Sequence, residues 1–198
     1  MIIVLVLKNS KPRHIHEVIN HKEALSYVLD NLDKDLSLNL IRNIGININK
    51  NISDISDFRK VSVVIRGVEY IPPSPLELRN QLYYFIDNYN NTVYENIFEK
   101  IVYFHIQFER LHPFEDGNGR TGRLLINYEL LKAGMLPLVI PKDEKDKYFE
   151  LLSNQDSNGL AKFFNELHEY EKERAKSLGI DMENQEKKDI IQEEVDKF

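Results

Sequence analysis

Between His112 and Arg123 the chain reads His-Pro-Phe-Glu-Asp-Gly-Asn-Gly-Arg-Thr-Gly-Arg, which gathers an imidazole, two adjacent carboxylates, three glycines and two arginines. Histidine is the side chain best suited to general-base work near neutral pH. Pro113 disfavours helical geometry at the residue before it, so His112 should stand at the end of the preceding helix. Gly117 and Gly119 free the backbone for conformations that side chains resist, and successive amides can then converge on an anion. A helix starting near Gly119 points the positive end of its dipole at the same anion. Arg120 and Arg123, three apart on that helix, share a face and can clamp phosphate oxygens. Asp116 suits a divalent cation, because Mg²⁺ typically takes one or two carboxylates and completes its shell with substrate phosphates. The parts add up to a polyphosphate cradle with a base beside it.

Such a loop needs rigid flanks. Ile97, Ile101, Phe104, Phe108 and Leu111 recur at helical spacing, and a helix is expected from Val93 to Leu111. A second helix, Arg120–Ala133, follows the loop and ends with Gly134 at C′. Upstream, Val18, Ile19, Leu25, Val28 and Leu29 mark a helix over about His16–Asn31, and Leu36, Leu40 and Ile44 another from about Asp35. Asn47–Asp57 reads as a loop. Pro75 suits a helix start and opens Leu76–Tyr89, with Leu78, Leu82, Phe85 and Ile86 inward. Downstream come an apolar connector over Leu136–Pro141, a helix over Asp143–Leu152, a break at Asn158-Gly159 and a last helix from Leu160 to about Ser177.

Val61–Ile71 is the only β-rich stretch, with β-branched residues around Arg66-Gly67 and Pro72-Pro73 after them. A lone hairpin is marginal unless it packs on helices. It serves either as a structural ribbon or as an edge that pairs with an extended target segment.

The His112–Arg123 segment resembles the signature of Fic-domain proteins, H-x-F-x-[D/E]-G-N-G-R-x-x-R. The resemblance extends over roughly Asn20–Leu167. It takes in Val63–Pro75, similar to the family's β-hairpin flap and the Pro-rich turn after it, as well as Arg123-Leu124-Leu125 and the Tyr148 helix. It implies a mainly α fold, a bundle of about seven or eight helices with one hairpin flap beside the catalytic loop. It also implies transfer of AMP from ATP to a Ser, Thr or Tyr hydroxyl of a target protein, and self-modification is known among family members. In that scheme His112 is the base and Phe114 the core anchor of the loop. Asp116 holds Mg²⁺, and Gly117, Asn118 and Gly119 form the anion nest. Arg120 and Arg123 take the β- and γ-phosphates, and Val64, Ile65, Arg66 and Gly67 of the flap register the target. Doc-type relatives, which phosphorylate, usually carry lysine where Gly119 stands, so Gly119 favours AMP transfer. The alternatives are transfer of UMP, phosphate or phosphocholine by the same loop, and a non-catalytic nucleotide-binding partner module. A metal phosphohydrolase is weaker, since Asp116 lacks companion ligands at useful spacing.

Composition sets the bounds. A chain of 198 residues is long enough to bury a sizeable core. The expected organisation is an N-terminal extension over 1–15, a Fic domain over 16–170 and a charged tail over 171–198. A net charge of −6 argues against wholesale nucleic-acid binding. The absence of cysteine removes disulfides and thiolate metal sites and fits a cytoplasmic protein. Met1–Leu7 is apolar but too short to span a bilayer, and it lacks the features of a signal peptide. His14, His16 and His21 do not make a one-face helical pair, so a solvated helix entry is expected rather than a metal site. His105 reads as a core histidine.

Many relatives of this kind carry an inhibitory helix with the pattern [S/T]-x-x-x-E-[G/N], whose glutamate engages the second motif arginine, here Arg123. No serine or threonine of this chain has glutamate four residues on. The expectation is a chain unrestrained alone, or one held by a separate antitoxin-like subunit. The target, and whether the chain forms a homodimer, lie beyond the sequence.

Overall fold

The computed structural model describes residues 11–65 and 67–180. The Met1–Leu7 run, Arg66 and the tail beyond residue 180 lie outside the described residues. Among the described residues seven α-helices make up the body: α1 Pro12–Leu29, α2 Leu38–Asn49, α3 Pro75–Asn91, α4 Ile97–Leu111, α5 Asn118–Lys132, α6 Lys145–Ser153 and α7 Ser157–Ser177. A 3₁₀ turn, Lys142–Glu144, leads into α6.

Starts and stops follow local chemistry. The Ser37 side chain accepts from the Leu40 N–H and starts α2, and Asn96 does the same for the Glu99 N–H at α4. Ser74 and Glu77 form a capping box ahead of α3, with Pro75 in its first turn. Gly134, at a φ of 71°, follows the end of α5 as expected. Three boundaries move. Helix α4 starts at Ile97 rather than Val93, because the Asn96 side chain caps the Glu99 N–H. Helix α1 starts at Pro12 rather than near His16, because proline is tolerated in a first turn whose N–H groups need no helical partner. Asn158-Gly159 lies inside the first turn of α7 instead of breaking it, because Asp156 caps the Gly159 N–H.

The hairpin expected over Val61–Ile71 does not form. The described residues of that stretch form no strand, and turn at Gly67, whose φ is 85°. Two short strands with no further sheet to join are marginal, and none is present among the described residues.

Helices α4 and α5 are sandwiched between two apolar clusters. Phe104, Phe108 and Leu111 of α4, with Leu124, Leu125 and Tyr128 of α5, pack towards α1, α2 and α3. Ile101, Val102 and Ile106, with Ile126 and Leu130, pack towards α6 and α7 around Tyr148, Phe163 and Phe164. Each such side chain contributes about 1.5–3 kcal/mol by leaving water. The connection between these two helices, residues 112–117, therefore leaves and re-enters the most firmly held part of the molecule.

Candidate active site

Helix α4 ends at Leu111, and its N–H to carbonyl ladder reaches the His112 amide, which donates to the Phe108 carbonyl. His112 itself turns left-handed, at φ 46° and ψ 61°. That conformation is unusual for a residue with a Cβ. Pro113 follows, as the sequence required.

The loop is then pinned from inside. Phe114 is fully buried, its ring 5.5 Å from that of Phe58. A Cβ on Gly45 of α2 would lie 2.2 Å from Phe114 Cζ, so the glycine is what lets the ring lie against that helix. The Asn118 side chain brackets the loop, accepting from the Phe114 N–H at 2.9 Å and donating to the Phe114 carbonyl at 2.8 Å. Gly117 sits at φ 77° as the N-cap residue of α5, and a Cβ there would meet the Asn49 amide at 2.6 Å. Gly119 lies in the first turn of α5, where a Cβ would approach Arg123 Nη1 at 3.2 Å. The α5 N-terminus thus opens towards the loop with its amides free of an N-cap side chain.

Asp116 is the charged hub. Its Oδ1 accepts from the Gly117 N–H at 2.6 Å and lies 3.4 Å from Arg120 Nη2. Its Oδ2 accepts from Arg13 Nη2 at 2.6 Å and from Ser53 Oγ at 3.3 Å. Burial acts to raise the pKa of this carboxyl, but the Arg13 hydrogen bond, the Gly117 amide and the two guanidiniums outweigh it, leaving it below its ordinary value. Arg120 also reaches the Ile48 carbonyl and lies 3.7 Å from Glu17 Oε1. Arg123 makes no hydrogen bond to Asp116 among the described residues; its Nη1 lies beside Gly119, and its charge acts on Tyr148 and Glu109.

The His112 imidazole makes no hydrogen bond to Asp116, Arg120 or Arg123 among the described residues. Its Nδ1 is shielded from solvent without a well-aligned partner. Burial lowers its pKa, the Glu109 backbone acceptor works the other way, and the Arg59 charge adds to the lowering. His105 is wholly buried, with Nε2 2.6 Å from the Tyr148 hydroxyl. Burial and the Arg123 charge hold it neutral, down to about 3. It is a core histidine, as its position on α4 suggested. In the flap, Val64 is 81% exposed, Ile65 is half-buried and Gly67 is exposed.

Several residues at the site were not legible in the sequence. Arg13 and Glu17 arrive from α1, Asn49 from α2, and Ser53 and Arg59 from the loop after it. Glu109, one turn before His112, carries an Oε1 shut off from solvent and without a hydrogen-bond partner. Gly45 in mid-helix was the one local signal, since glycine there has to be explained by a close approach.

Fold and loop together are those of a Fic-type helical protein, and the comparisons agree. Residues 35–130 match the model of the Fic/DOC family. Proteins named protein adenylyltransferase Fic from Drosophila willistoni and Drosophila melanogaster are each 34% identical over 110 residues, covering 54% of this chain and 22% of theirs. The matched segment is thus well under a third of those relatives' length. A Fic domain containing signaling protein from Bacteroides thetaiotaomicron superposes with a TM-score of 0.71 at 21% identity, over 84% of this chain and 74% of that one. Fic-1 from C. elegans gives 0.72 at 23%, over 87% and 54%. The chain carries a Fic domain.

Proposed function

We propose that the chain is a protein adenylyltransferase that moves AMP from ATP to a hydroxyl of a target protein. The observation that carries this reading is the juxtaposition, on one loop, of a left-handed His112 and the Asp116–Gly117–Arg120 cluster at the free N-terminus of α5. Relatives named as adenylyltransferases support AMP as the transferred group.

In this scheme Nε2 of His112 is the base, and Nδ1, shut off from solvent, keeps the ring's proton. Nε2 takes the proton of the target hydroxyl as its oxygen attacks the α-phosphorus, and the bond to pyrophosphate breaks. The amides of Gly117, Asn118 and Gly119 and the guanidiniums of Arg120 and Arg123 hold the β- and γ-phosphates. Positioning and fixed charge do most of the catalysis. Asp116 fits a divalent cation: it stays ionised in a partly buried loop and already accommodates a guanidinium. It would hold Mg²⁺, which when bound neutralises triphosphate charge. Val64, Ile65 and Gly67 lie on the flap, which forms no strand among the described residues and so leaves backbone groups for an extended target segment to pair with.

The test is incubation with α-³²P-labelled ATP and Mg²⁺ in a cell lysate, wild type beside His112→Ala. Label on a protein band with wild type alone supports AMP transfer. Label from a γ-labelled donor only would replace it with phosphate transfer, and competition by UTP with UMP transfer. Restraint by a separate antitoxin-like subunit is part of the reading. Purified chain that labels only after deletion of residues 181–198 would replace that subunit with an internal brake.

A further inference from the structure

Arg59 is 4% exposed, yet each of its side-chain hydrogen bonds goes to a backbone carbonyl rather than to a carboxylate. Nε donates to the His112 carbonyl at 2.8 Å. Nη1 donates to Val61 at 2.9 Å, and Nη2 to Pro73 at 2.6 Å and, more loosely, to Leu111 at 3.4 Å. Its own N–H donates to the Pro113 carbonyl at 2.8 Å. Val61 and Pro73 stand at the two ends of the flap, while Leu111, His112 and Pro113 are the turn that carries the base. A second tie reinforces the first: the Arg110 guanidinium of α4 lies 3.9 Å from the ring centroid of Tyr70, near the end of the flap.

We infer that Arg59 is a positioning residue that fixes the flap and the His112 turn as one unit, so that a target segment lying on the flap meets Nε2 in register. The inference rests on the transfer reading above. Three features support it. The planar guanidinium offers donors in a fixed fork, which suits several carbonyls at set angles, whereas lysine's ammonium is a point charge on a flexible stem. His112 occupies a left-handed conformation, which persists only where surrounding structure imposes it, and Arg59 binds the carbonyls on either side of the His112–Pro113 bond. Finally, among the described residues the flap has no strand pairing of its own to hold its ends together, so the tie at Val61 and Pro73 takes the place of a ladder.

The test compares wild type with Arg59→Lys, which keeps the charge and much of the stem, and Arg59→Gln. Hydrogen exchange needs no catalysis. The hydrogen-bonded amides of the two segments, Val68 in the flap and His112 and Phe114 in the turn, should speed up together by about tenfold or more, the factor for one lost buried hydrogen bond, while α5 and α7 keep wild-type rates. In the transfer assay, target KM should rise and kcat fall by about tenfold or more, with ATP affinity within about twofold of wild type, since the phosphate-binding groups lie elsewhere. In Arg59→Gln the His112 imidazole, followed by NMR, should titrate at higher pH, because a charge opposing its protonation is gone. Faster exchange throughout the molecule, or in the flap alone, would overturn the inference. So would unchanged KM and kcat. Wild type that transfers nothing would refute the transfer reading while leaving the exchange result to decide the coupling.

Discussion

Arg13 Nη2 lies 2.6 Å from Asp116 Oδ2, so a guanidinium stands where the loop's carboxylate would meet a divalent cation. The same side chain binds Glu17, whose Oε1 is 3.7 Å from Arg120. Helix α1 thereby sets a cation against the acidic group of the loop and an anion against its basic one. Both pairs are partly exposed, which limits what they are worth.

Removing the guanidinium should ease cation entry. Exposed ion pairs contribute about 0.2–1 kcal/mol, so Arg13→Gln should lower the Mg²⁺ concentration needed for half-maximal ATP binding by up to about fivefold. Titration of Mg²⁺ against fluorescent-nucleotide binding reads this directly. A higher Mg²⁺ requirement in the variant would show that Arg13 helps to hold the nucleotide instead.

The base should remain available in mild acid. The proposed transfer needs a neutral imidazole at His112, and burial lowers its pKa from the ordinary value near 6.5. The acid limb of kcat/KM should therefore have its midpoint below about 6.5, with the rate level from there through neutrality. A midpoint above that value would mean that the group titrating is not His112 in this environment.

The loop could be read directly because its chemistry is contiguous. Imidazole, carboxylate, glycines and arginines follow one another, and a proline marks the turn. The helices were legible where period and caps agreed, as at Ser74-Pro75 and Gly134. What escaped depends on distance along the chain. Arg13 and Asp116 are 103 residues apart, and Arg59 and His112 are 53 apart. Their meaning exists only after α1 and the loop after α2 have packed beside α5. The flap misled for the opposite reason: β-branched residues state a local preference, but a ribbon without a neighbouring sheet has nothing to pair with.

Glu109 should make stability depend on pH. Burial raises its pKa to about 7, with Arg123 opposing. A carboxyl whose folded pKa is raised contributes fully below its unfolded value near 4.5 and loses that contribution as pH rises through about 7. The native state should thus weaken between about pH 5 and pH 8, by up to about 3 kcal/mol. Urea unfolding at the two pH values should show a smaller difference in Glu109→Gln than in wild type. Equal differences would show that Glu109 ionises freely in the folded chain.

The last prediction concerns how the core sets the loop. A Cβ on Gly45 would sit 2.2 Å from Phe114 Cζ, closer than any van der Waals contact allows, and Phe114 is bracketed by the two hydrogen bonds of Asn118. The ring cannot retreat without moving the amides that lead to Asp116 and Gly117. Gly45→Ala should cost about 1–3 kcal/mol of stability, the usual penalty of overpacking. It should also weaken ATP binding, although Gly45 belongs to α2. In a Phe114→Leu background, where the end of the ring is gone, the same alanine should cost less by at least about 0.5 kcal/mol. Urea denaturation of the four proteins in the cycle measures this coupling. Strict additivity would mean that α2 yields to the methyl group and that Phe114 does not transmit the strain to the loop.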